Sequence, residues 1–147
     1  MPLSRTEARD AILTLVKAGL DQIEGLDSAN VIWDATKGRK PSSDDSPAKP
    51  WARVVLRHLQ GEQGTLAGAL GRQRYDRRGL LTVQWFGVTG RGLDEIDAQV
   101  RIIENTVQGR TTLGGVWFRN VRSQEIGEDG PWFQTNVLAE FEYDEVA

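Results

Sequence analysis

At 147 residues, with 27% charged and 39% apolar side chains, the chain has the make-up of one soluble globular domain. Its lack of cysteine excludes disulfides and thiolate metal sites, and a net charge of −3 argues against a general nucleic-acid binder while leaving local basic patches open. No apolar run approaches the ~20 residues that cross a bilayer, so neither a membrane span nor a signal peptide is expected.

In chain order, Ser4 followed by Glu7 forms a capping box, in which each side chain satisfies an orphan amide of a first helical turn. Ala8, Ile12, Leu15 and Val16 recur at helical spacing, with Gly19 as the expected stop. Leu20, Ile23 and Leu26 extend or connect, and Val31–Trp33 reads as a short strand. From Thr36 to Pro50 the sequence is too polar to offset its ordering entropy by burial, which predicts a mobile loop within a single domain. Trp51–Gln60 reads as a strand with Val54 and Leu56 inward and Arg53 and Arg57 outward. A short irregular strand is expected around Thr65–Leu70, and Arg72–Val88 is a long one with Leu81, Val83 and Trp85 inward. A second helix starts near Leu93, where Asp94, Glu95 and Asp97 suit the positive end of the helix dipole. Its apolar stripe is Leu93, Ile96, Val100, Ile103 and Val107, and Gly109 ends it.

The chain closes with two strands that start on Trp-Phe, at Trp117 and Trp132, around the turn Gly127–Gly130. In the second, Phe133, Thr135, Val137, Ala139, Phe141 and Tyr143 alternate with Gln134, Asn136, Glu140 and Glu142, the period a half-buried strand requires. The order helix, strands, helix, hairpin predicts an α+β fold: a mostly antiparallel sheet with two helices on one face. The outer face of that sheet offers amides and carboxylates, as suits a protein that works as a surface.

Little here can do chemistry. With one histidine, His58, a Ser-His-Asp triad or a histidine-rich metal site lacks parts. His58 shares the inward phase of Val54 and Leu56, which predicts a hydrogen-bonded core or interface histidine. The glycines of 61–71 lack a following Gly-Lys-Ser/Thr, and Gly87–Gly92 precedes acidic residues that repel phosphate. Asp94/Asp97 are explained by the helix dipole and Glu140/Glu142 by a solvated strand face, so no metal or cofactor is expected. The remaining constellation is Arg72-Gln73-Arg74-Tyr75-Asp76-Arg77-Arg78. Arginines around a tyrosine resemble a small nucleic-acid patch. The favoured reading is an interface in which Arg72, Arg74, Arg77 and Arg78 meet Glu140, Glu142 and Asp144 of a neighbouring subunit. Charges on such an arm contribute little to folding.

The run Arg77–Phe86, the Gly-rich turn and acidic-capped helix after it, Gly115–Asn120 and the closing Gly130–Tyr143 resemble the tail-terminator-like proteins of long-tailed bacteriophages. The resemblance covers about Pro2 to Val146 and is strongest from Trp51 onward. It implies a structural α+β subunit without cofactor or active site. Six copies would form a ring on the head-proximal end of the tail tube, stopping its growth and offering a surface to the head connector, with DNA passing through. A ring requires one patch to meet a different patch, with closure set by the angle between them. Two rivals are a head-side neck protein of the same virion and a small nucleic-acid-binding protein that uses the arginine cluster.

Overall fold

The computed structural model describes residues 4–34, 36, 39–63, 74–90, 92–109, 111–112 and 115–146, with backbone alone at 60–63, 74, 75 and 146. The first helix, α1 (Arg5–Leu20), opens on the predicted capping box: the Glu7 amide donates to Ser4 Oγ at 3.2 Å, and the Ser4 amide to Glu7 Oε1 at 3.3 Å. Ala8, Ile12, Val16 and Leu20 form its buried stripe. Gly19 does not end the helix, which runs on to Leu20. A Cβ at Gly19 would lie 2.0 Å from Thr106 Oγ1 of the second helix, so this glycine is where the two helices touch.

A single turn at Ser28–Asn30, capped by Asp27, leads into β1 (Val31–Trp33). β2 (Trp51–Gln63) and β3 (Arg74–Val88) follow as antiparallel neighbours. The strand expected near Thr65–Leu70 falls outside the described residues. The second helix, α2 (Asp94–Val107), carries Asp94, Glu95 and Asp97 in its first turn and buries Ile96, Val100, Ile103 and Val107. Leu93, expected to start that stripe, is instead the cap residue and remains 45% exposed. β4 (Trp117–Asp129) and β5 (Trp132–Val146) form the closing hairpin. The turn falls on Gly130-Pro131 rather than Gly127–Gly130, because Gly130 adopts φ 59° and Pro supplies the fixed second angle of a two-residue loop.

The sheet order is β1-β2-β3-β5-β4, with β1 parallel to β2 and every other pair antiparallel. Both helices lie on one face, so the architecture is α+β as the sequence predicts. The core forms between them and the inward residues Ala52, Val54, Leu56, Leu81, Val83, Trp85, Val137, Ala139, Phe141 and Tyr143.

A second, smaller cluster lies on the opposite face at one end of the sheet. Trp51 stacks on Phe86 with centroids 3.8 Å apart, and Trp132 meets Trp51 edge-on at 6.0 Å. The polar segment predicted to be a loose loop touches this cluster. Trp132 Nε1–H donates to the Lys49 carbonyl at 2.8 Å, and the Lys40 ammonium lies 5.5 Å from the Trp132 ring centroid. Among the described residues of 36–50 there is no helix or strand.

Candidate functional site

Strand register determines where the predicted charges go. Arg77 lies opposite Tyr143 and Arg78 opposite Glu142, so the arginine-rich start of β3 and the acidic end of β5 are neighbours in one sheet. On the helix side, Arg77 Nη2 donates to Glu145 Oε1 at 3.2 Å. On the outer side, Arg78 Nε donates to Glu142 Oε1 at 3.1 Å, and Glu142 Oε2 lies 3.5 Å from Arg119 Nη2. Glu140 Oε2 accepts from Asn120 Nδ2 at 2.8 Å and from Arg122 Nη1 at 3.4 Å. Asp144 faces Asp76 across the same strand pair. Arg74 pairs through its backbone with Val146, its side chain lying outside the described set, and Arg72 is outside it altogether.

The sequence reading set these arginines against carboxylates of a neighbouring subunit. In the fold, Arg77 and Arg78 meet theirs within one chain, as cross-strand pairs. Arg119, Asn120 and Arg122, which the sequence reading did not single out, complete the network. Asn120 reaches Glu140 from a bulge in β4, where it takes φ 51°, a left-handed angle that asparagine tolerates better than most residues. The Trp-Phe start at Trp117 marked a strand, but only the register with β5 reveals their partners.

His58 occupies the inward position its phase predicted. Its Nε2 lies 2.7 Å from the Tyr143 hydroxyl, and its ring meets Phe141 edge-on at 5.3 Å. Burial, followed by the nearby Arg5 and Arg9, lowers its pKa from 6.5 to about 4, so the ring is neutral at physiological pH. Burial likewise raises the Tyr143 phenol above its usual value. This is a structural histidine at one end of the core.

The two flanks of the sheet differ. Just beyond β1, the outer backbone groups of β2 are capped by side chains. Asp34 Oδ2 accepts the Leu56 amide at 3.2 Å and pairs with Arg57, while the Leu56 carbonyl accepts from Arg57 at 3.1 Å and Arg9 at 3.5 Å. Burial pushes the Asp34 carboxyl up, but the Leu56 amide and Arg57 outweigh it and hold the group below its usual value. Side chains that close a strand edge in this way discourage pairing there. On the other flank, the only pairing of β4's outer edge among the described residues is a single bridge from Thr111 to Trp117.

Of the large apolar side chains exposed among the described residues, Leu59 (68%) lies on β2, and Trp117 (38%) and Ile126 (50%) lie on β4. Leu59 and Ile126 both fall where the register slips, so each is carried by an irregularity of its strand.

No family model matches the chain, and no curated protein matches its sequence. Among solved structures, a chain identified only by a sequence number is similar to it: 15% identical, TM-score 0.52, with 88% of this chain and 94% of that one covered. A chain described as from the virion of a native gene transfer agent particle is 12% identical, with TM-score 0.45 over 92% and 96% of the two chains. The first likeness is one of fold, and it extends over nearly all of both chains.

Proposed function

We propose that this chain is a virion structural protein of a tailed-phage type, a tail terminator. Six copies close into a ring on the head-proximal end of the tail tube, stop its polymerisation and present a surface to the head connector. The reading involves no cofactor and no catalytic step. One observation carries it: exposed apolar side chains lie toward two different sides of one sheet, Leu59 on β2 past the three residues that β1 covers, and Trp117 with Ile126 on the edge strand β4. Unlike flanks that each expose apolar surface suit head-to-tail contact, in which a patch meets a different patch and the chain of copies closes. The resemblance of the sequence to tail-terminator-like proteins supports the same reading. The competing nucleic-acid reading loses ground because Arg77 and Arg78 already hold carboxylates of their own chain.

Electron microscopy of the purified protein, alone and with tail tubes, tests this. The expected result is six-fold rings, free at high concentration or seated on one end of each tube. A monomer at high concentration that also ignores tube ends overturns the proposal. Binding to the connector but not to tubes would move the protein to the neck of the particle instead.

A further inference from the structure

The proposed ring leaves its contact unspecified, and neighbouring rows across the sheet supply a candidate. One cross-strand row runs Val31–Ala52–Trp85–Thr135–Glu125, and the next on the same face runs Trp33–Val54–Val83–Val137–Ser123. Both rows point to the helix side, since Ala52, Trp85, Thr135, Val54, Val83 and Val137 are all buried. At the β4 end, Ser123, Glu125 and Glu128 stand exposed on that side, with Ile126 bulging between Glu125 and Gly127. At the β1 end of the same rows, α1 and β1 border an open depression of about 420 Å³, lined by Asp10, Leu13, Thr14, Lys17 and Trp33. Leu13 and Trp33 give it an apolar floor, half-buried against the core. Lys17, Glu125 and Glu128 are exposed and have no ion-pair partner among the described residues.

We propose that the β4 bulge of one copy seats in the α1–β1 depression of the next. Ile126 packs on Leu13 and Trp33, and Glu125 and Glu128 face Lys17. Knob and depression occupy neighbouring rows on the same face, the acidic knob can meet Lys17 of the depression, and the two lie toward opposite flanks, as a head-to-tail contact requires. Asp10, at one end of the depression, opposes carboxylates there and restricts the acidic strand to the Lys17 end. The proposal rests on the ring reading and replaces the arginine cluster as the place where copies meet.

The absence of native cysteine permits a direct test. A disulfide closed within one chain would leave only a monomer band, so a ladder reports contact between copies. In the doubly substituted Thr14→Cys/Ile126→Cys protein, mild oxidation of rings should give a covalent ladder on a denaturing gel, ending at the ring size. Neither single substitution should give a ladder. Lys17→Glu and the double change Glu125→Lys/Glu128→Lys should each lose rings while keeping the unaltered melting curve. An equimolar mixture of the two should regain them, because each then meets its complement. Rings that persist in both charge variants and yield no ladder overturn this contact while the ring reading stands. If the unaltered chain forms no rings and caps no tubes, the ring reading fails first.

Discussion

Burial and the arginines of α1 hold the His58 imidazole neutral down to a pH of about 4, whereas in the unfolded chain it titrates near 6.5. Between those values the unfolded state binds the proton that the native state refuses, so stability falls with falling pH. The contribution is complete above about 6.5, declines toward 4 and is flat below, where both states carry the proton. Melting temperatures measured from pH 7.5 to 4 should show this decline, and His58→Gln should flatten it. An equal slope in the variant would assign the decline to other groups. The inward phase of His58 was legible from Val54 and Leu56, four and two residues before it. Its hydroxyl partner, Tyr143, was not, because it is 85 residues away in sequence and arrives by sheet pairing.

Among the elements, α1 shows how a local rule can be right in chemistry and wrong in place. Glycine after an amphipathic stretch is a common helix stop, but Gly19 is inside α1 and is buried. Its missing side chain lets α2 approach, with Thr106 Oγ1, Cγ2 and Cβ all closer than 3.0 Å to where a Cβ would stand. Gly→Ala inside a helix ordinarily stabilises by up to about 1 kcal/mol. Here the sign should reverse, because Thr106 is short and its helix must move. The expected loss for Gly19→Ala is about 1–3 kcal/mol. Thr106→Ala in the same protein should recover part of that loss, since it removes the clashing atoms. Denaturant melts of the single and double variants decide this, and a stabilised Gly19→Ala would mean that the helices do not touch there.

For the whole molecule, the charged ladder on the strands is fastening within the subunit. Glu142 serves Arg78 and Arg119 together, Glu145 serves Arg77, and all these side chains are partly exposed, so each pair contributes modestly, up to about 1 kcal/mol. The sequence alone places these arginines in a subunit interface, where their charges would contribute little to folding. With the pairs internal, Arg77→Glu/Arg78→Glu places carboxylates beside Glu145 and Glu142, and the expected loss is about 1–3 kcal/mol, read as a lower melting temperature. Rings should still form below that temperature. A variant with unchanged melting and no rings would return the arginines to the subunit interface.

Most of the architecture was legible because it depends on nearest-neighbour rules. The capping box at Ser4 and Glu7, the period of two from Phe133 to Tyr143 and the acidic first turn of α2 each act over a few residues. Propensity and burial agree in each of these places. What only the tertiary structure decided involves residues brought together from far along the chain. The register of β3 on β5 turned two complementary charge runs into internal pairs, and the helix crossing turned Gly19 from a stop into a contact. The bulges at Leu59 and Ile126 put apolar side chains on the flanks. Sequence shows which faces a strand has. Pairing register and the crossing of packed elements depend on the sum of many distant contacts, and these fix which partner each face meets.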